Sequence, residues 1–449
     1  MNIIARDPHE LHCFLTKQEK TSLLLFLASS ILYFYSPAIG LWTFLLFLLH
    51  AAHSARTFLV LIIPLIILTR HHEPAEVLPF SDGHLLTLFM VLATLPFLYR
   101  VSRIPRDPAT LFFLMFLFSY TLTNIINLGV STHLEPTRHI FGTLAFLGIS
   151  ATSLYILYSR TPSFSLFSSP WPLILCAVAA LAILLYHAHL YHDWFRGGSL
   201  TIRLSETSTR NTATALVLVF IALYWATLRQ WRNNIIAWIT LAALAIGIFA
   251  SGSRITPIAL VAGILIPHAL SIARRLLADR LVRPSRIIIF LCATITTSAL
   301  LAFFTPALET LDELNWRVLR DPTTTAQTRL EIWDRLVASL DVKTFLLGSG
   351  AGSATSIIGS HPHSGFFSLL YSNGVFTLTT FLTLLLVITT RAIKANDCAT
   401  QGLVFGLATF LLIGIQTDRV DFILCLVFTL VFYYSFQRRY STTKPPTGY

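Results

Sequence analysis

Apolar runs of membrane-spanning length, separated by short polar connections, set the pattern of this chain. They fall near 21–35, 38–50, 57–69, 84–99, 108–129, 139–158, 170–188, 211–228, 234–250, 255–272, 287–304, 365–390, 399–415 and 421–436. A simple helical crossing needs about 20 apolar residues, and the first three runs are shorter, so tilting or re-entry reduces the fourteen candidates to about twelve spans. Either count leaves both termini on one side. The expected fold is all-α, a polytopic membrane protein with about 12–14 hydrophobic helical segments and one large outward loop.

That loop, 305–364, breaks the pattern. From Arg329 to Leu340 its apolar residues Leu330, Trp333, Leu336, Val337 and Leu340 recur at helical spacing, while Arg329, Glu331, Asp334 and Arg335 supply polar faces. This predicts a short helix at the outer interface that buries the Trp333 stripe and keeps Arg329 near headgroup depth. The other divisions are a polar tail at 1–20, a multi-helix region at 21–304, C-terminal membrane helices at 365–436 and a tail at 437–449 ending in a Pro/Thr-rich stretch.

Composition removes the soluble classes. Hydrophobic residues make up 55% and charged residues 12% of the chain, 34 residues are Phe, and mean hydropathy is +0.70. Residues 1–20 are polar and carry Arg6, Lys17 and Lys20, unlike the short basic start of a cleaved signal peptide, so they are expected to stay as a cytoplasmic tail. The five cysteines are scattered and form neither a disulfide framework nor a metal-binding spacing. Alternate connections hold Arg100, Arg103 and Arg106, then Arg160, Arg229 and Arg232, Arg274 with Arg275, Arg280, Arg283 and Arg286, Arg391 and Lys394, and Arg438, Arg439 and Lys444. Positive-inside bias puts these in the cytoplasm, with both termini, and puts 305–364 outside.

Function is sought in polar groups that so apolar a scaffold holds near its surface. Within Leu347-Gly348-Ser349-Gly350-Ala351-Gly352 the glycines alternate, which suits a tight turn or close backbone approach, but the segment lacks the lysine and spacing of a phosphate-binding loop. His361 and His363 follow, then Ser364 as a helix cap. Gly374 comes 11 residues after His363, about three turns on and thus on the same helix face. A neutral imidazole there can take a proton from a hydroxyl near pH 7. No nearby Cys, Asp or Glu set completes a zinc site around the two histidines. Outward arginines are the second signal. Arg203 and Arg210 lie in 189–210, Arg254 in the short SGSRI junction at the membrane boundary, and Arg317, Arg320, Arg329 and Arg335 in the long loop. A lipid diphosphate would satisfy several guanidinium donors at once.

Together SGSRI, TRLEIW, LLGSGAGS and HPHSGFFSLLYSNG, set before a last group of spans, resemble the O-antigen ligase and O-antigen polymerase superfamily of bacterial inner-membrane glycosyltransferases. The resemblance covers roughly Arg203 to Gly374. It implies transfer of a glycan from undecaprenyl diphosphate to an acceptor hydroxyl at the periplasmic face, with inversion and with neither metal nor cofactor. By the same resemblance His363 is the essential histidine. Arg203 and Arg254 hold the diphosphate, joined by Arg329, the arginine before the loop tryptophan, and Asn211 opens the next helix after Arg210. Arg210, Asn211, Arg317, Trp333 and His361 are expected around the acceptor or pocket. Ser364 stands where the family commonly has asparagine.

On this reading His363 takes or shares the acceptor proton as oxygen attacks the anomeric carbon, and the arginines stabilise charge building on the departing lipid diphosphate. A ligase acting on a lipid A-core is favoured over a polymerase joining lipid-linked repeat units, because the long loop falls late and the histidine block is compact. A lipid-linked glycan transporter is the alternative from another class. Inverted repeats would favour it, and no convincing repeat is apparent. The expected partners are the undecaprenyl diphosphate-linked glycan, a lipid A-core or glycan acceptor and membrane lipids, with no nucleic acid.

Overall fold

The computed structural model describes residues 21, 24–29, 31–32, 36–51, 108–128, 173–174, 176–178, 180–182, 206–250, 255–277, 322–350, 353 and 364–413. Among the described residues there is no strand, and the helices with both ends described are α1 (Pro37–Ala51), α2 (Pro108–Leu128), α3 (Glu206–Gln230), α4 (Ile235–Ala250), α5 (Ile255–Leu277), α6 (Pro322–Ala338), α7 (Val342–Leu347), α8 (Gly365–Ala395) and α9 (Cys398–Ile413). Stretches of α2, α5 and α8, over Pro108–Asn127, Thr256–Arg274 and Gly365–Ala395, are long and apolar enough to cross a bilayer. The protein is an all-α polytopic membrane protein. The expected runs at 57–69, 84–99, 139–158, 287–304 and 421–436, and both tails, lie outside the described residues.

Helix ends differ from the apolar runs where polar residues are helical. α3 begins at Glu206, not near 211, so Arg210 and Asn211 sit inside a helix and Asn211 does not open it. An acidic residue suits the positive end of the helix dipole, and hydropathy does not register a polar first turn. α5 continues to Leu277 and keeps Pro267 inside it, tolerable where neighbouring helices re-satisfy the backbone.

The helix α8 packs on both α2 and α9; α9 in turn packs on α3 and α5, and α4 lies against α3. Lipid is as apolar as leucine, so membrane helices associate through close packing and internal hydrogen bonds. Gly402 of α9 meets α5 with no room for a methyl group, since a Cβ would stand 2.4 Å from the Gly263 carbonyl oxygen. The Trp225 indole of α3 donates to that same carbonyl at 3.1 Å.

Basic residues gather at one end of the bundle. Arg274, late in α5, donates to Asn396 Oδ1 at 3.3 Å in the turn after α8. Beside it Asp397 is buried and accepts from the Thr400 hydroxyl. Burial pushes the Asp397 carboxyl above the ordinary carboxylate range, only partly opposed by that hydroxyl and by the Arg229 charge at the end of α3. The C-terminal ends of α3, α5 and α8 therefore share one membrane face. Their N-terminal ends point to the other.

Candidate functional site

At that other end α8 is broken. Gly374 has φ 76° and ψ 173°, inside what is otherwise one helix from Gly365 to Ala395. An L-residue rarely adopts this backbone, and a Cβ there would stand 2.3 Å from the Leu346 carbonyl oxygen. Gly348, which ends α7 with φ 75°, meets the break from the opposite side, where a Cβ would lie 2.4 Å from the Ser372 carbonyl oxygen. Two glycines thus let two backbones touch. The break turns the Tyr371 and Ser372 carbonyls away from their own helix, and the loop answers: Ser349 N–H donates to Tyr371 O at 2.7 Å and Gly350 N–H to Ser372 O at 3.1 Å. Non-helical backbone at membrane depth persists when protein satisfies it in this way.

A polar stripe on α2 completes the arrangement. Ser119, Thr123 and Asn127 recur every fourth residue and all are buried. Asn127 Nδ2 donates to Leu347 O and to Ser372 O, each at 3.4 Å. Asn373 Nδ2 donates to Thr123 Oγ1 at 3.0 Å, and the Ser119 and Thr380 hydroxyls lie 3.4 Å apart. The glycine contact is therefore fixed from three directions.

Above the break, α6 packs on the first turns of α8. The Tyr371 hydroxyl meets Ser339 Oγ at 2.7 Å and donates to the Leu336 carbonyl, while Ile332 and Leu336 are buried against the Tyr371 ring. The Trp333 and Phe367 rings lie 5.5 Å apart between centroids. The expected stripe is thus corrected: Ile332 is on the buried face, whereas Leu330 and Val337 are exposed. The helix is also longer than expected, beginning at Pro322, a residue suited to a first helical position. A second helix, α7, was not anticipated. Asp341 caps it by accepting from Thr344 N–H at 2.7 Å, and hydrogen bonding from the Thr344 side chain, with that backbone bond, holds its exposed carboxyl below the usual range.

Ser364 caps α8 as expected, its hydroxyl accepting from Phe367 N–H at 3.4 Å. The expected shared face of His363 and Gly374 rests on His363, which lies outside the described residues; the helix starts after Ser364, and Gly374 interrupts it. Trp333 and Arg329 both lie on α6, one turn apart. Arg210 and Asn211 lie in the second turn of α3, about 28 Å along the helix from Arg229 and thus toward the end that holds the break. α5 begins at Ile255, at that same end, next in sequence to Arg254. The side chains of Arg203, Arg210, Asn211, Arg254, Arg317, His361 and His363 lie outside the described residues.

Sequence comparison meets this geometry directly. A family model described as O-antigen ligase matches residues 239–382, from α4 through the break in α8. Residues 239–382 are thus similar to the O-antigen ligase family. Among curated proteins, none matches the chain. The O-antigen ligase stretch contains Arg254, Arg317, Arg329, Trp333, His361 and His363, together with both glycines of the contact, while Arg203, Arg210 and Asn211 precede it. Asn127, Thr123 and Ser119 lie well outside the matched stretch and escaped the sequence reading. Their signal was present as three polar residues at four-residue spacing within an apolar run.

Proposed function

We propose that this protein is a bacterial inner-membrane glycosyltransferase that moves a glycan from undecaprenyl diphosphate to a lipid A-core hydroxyl at the periplasmic face, without metal and with inversion. The observation that carries this reading is the O-antigen ligase match across the glycine contact, in which α8 begins two residues after His363. Local register supports it. Leu336 lies against Tyr371 and Trp333 against Phe367, so one further turn back along α6 carries Arg329 toward the start of α8, which follows His363 in sequence. His363 would act as general base toward the acceptor hydroxyl. Arg329, with Arg254 and Arg203, would take the charge that develops on the leaving diphosphate, and Arg210, Asn211, Arg317, Trp333 and His361 would shape the acceptor side.

The gathering of Arg229, Arg274 and Lys394 at the end of the bundle away from the break supports a cytoplasmic location for that end, and hence a periplasmic site with both termini cytoplasmic. Donor and acceptor are tested together by reconstituting the purified protein with an undecaprenyl diphosphate-linked glycan and offering lipid A-core or a second lipid-linked repeat unit. Glycan on lipid A-core supports a ligase, lengthened lipid-linked glycan makes the protein a polymerase, and intact donor moved between leaflets makes it a transporter.

A further inference from the structure

The helix α7 presents an apolar face that is exposed among the described residues. Val342, Phe345 and Leu346 are 76%, 40% and 50% exposed, although Thr344 on the opposite side is buried and meets Ser349 Oγ at 2.7 Å. Three adjoining large apolar side chains on a six-residue helix have a poor place in water. Their depth in the bilayer follows from their neighbours. The apolar stretch of α2 ends at Asn127, whose side chain reaches both the end of α7 at Leu347 and the broken turn of α8 at Ser372. That stretch has 20 residues and so a length of about 30 Å, the thickness of a hydrocarbon core. From Gly374 to Ala395, α8 spans about 33 Å and reaches the same two levels. The attachment of α7 therefore lies at the hydrocarbon boundary.

We infer that α7 is an interfacial anchor whose Val342, Phe345 and Leu346 side chains sit among the phospholipid acyl chains of the leaflet nearest Gly374. Lys343, exposed on the same short helix, and the Asp341 carboxylate at its start face the headgroups. This contact does not depend on the reaction catalysed. It fixes the height of the glycine contact, and of the first turns of α8 above it, relative to the lipid surface.

The test places an environment-sensitive nitrobenzoxadiazole label at Phe345→Cys, with the native cysteines replaced by serine, in nanodiscs of palmitoyl-oleoyl phosphatidylethanolamine and phosphatidylglycerol. Phe376→Cys, on the exposed face of the spanning part of α8, and Asp334→Cys, on the exposed polar face of α6, provide lipid and water references. Phe345→Cys should lose most of its emission to phospholipid doxyl-labelled near the headgroup and little to aqueous iodide, as Phe376→Cys does. Quenching by iodide in the manner of Asp334→Cys overturns the anchor, and so does protection from both quenchers, which would mean a cover of protein such as a second copy. Should the serine background fail to fold, benzoylphenylalanine at Phe345 in the native chain gives the same decision. Crosslinking to phospholipid supports the anchor, and crosslinking only to protein or to neither overturns it.

Discussion

Replacing Gly374 with alanine attacks the contact on which the site is built. The backbone at φ 76° and ψ 173° costs a side-chain-bearing residue about 1–3 kcal/mol. The new Cβ would also stand 2.3 Å from the Leu346 carbonyl oxygen and 2.6 Å from its carbon, both main-chain atoms that cannot rotate away. Overpacking of this kind adds roughly another 1–3 kcal/mol, so the contact loses about 2–6 kcal/mol. The loss should appear first as local opening. Ser349 and Gly350 amides, which donate to Tyr371 and Ser372 carbonyls, should exchange hydrogen at least about 30-fold faster than in the parent protein, since each 1.4 kcal/mol is a factor of ten. Gly348→Ala should produce the same signature, and the double variant should fall short of the sum because both changes break one contact. Val375→Ala, next to the break but outside the glycine contact, is the control. Unchanged protection of Ser349 and Gly350 in Gly374→Ala would falsify the claim that the glycines hold the loop to α8.

Three further predictions concern separate parts of the structure. Thr123→Val keeps the shape of α2 but leaves Asn373 Nδ2 without its acceptor, so stability in detergent should fall by roughly 1 kcal/mol; a double-mutant cycle with Asn373→Ala should recover most of that as coupling, and independent effects would contradict the pairing. The folded Asp397 carboxyl holds its proton more tightly than the unfolded one, so its contribution to stability falls as pH rises from about 4 through the raised folded value and is level above it. Asp397→Asn should lose that slope, so the difference in melting temperature between the two proteins should change with pH across that range, and parallel curves at all pH values would count against it. Arg254→Ala should lower glycan transfer strongly at normal abundance, with Arg254→Lys restoring only part because lysine lacks the planar donor fork; near-parental transfer by both at limiting donor would reject a diphosphate role.

Much of the fold was legible because lipid imposes one rule on every spanning segment: its backbone must satisfy itself and its side chains must be apolar. The runs at 108–129, 234–250 and 399–415 lie within two residues of α2, α4 and α9 at each end. Failures occurred where polar residues were helical, as at Glu206 to Asn211, or where one short capped turn carried too little periodicity to stand out, as at Val342 to Leu347. The glycines of LLGSGAGS were read as suited to close approach, but their partner could not be named. Gly374 looked like one more small residue on a helix face, and only the fold brings it against Leu346. The apolar positions of α6 fitted several stripes about equally, and packing on Tyr371 selected Ile332 over Leu330 and Val337. His363 and Arg254 were chosen by chemistry and resemblance, and the helices adjoining them begin at the end of the bundle that holds the break.

Glycan transfer by purified His363→Ala, measured beside the parent protein and His361→Ala, tests the central proposal most directly. Each is reconstituted with undecaprenyl diphosphate-linked glycan and lipid A-core, with and without chelator. The account predicts that His363→Ala folds and binds donor yet transfers little glycan, that His361→Ala is milder, and that chelator changes neither the parent nor the ranking. Parental activity in His363→Ala, or a chelator-dependent loss restored by one metal, would contradict it.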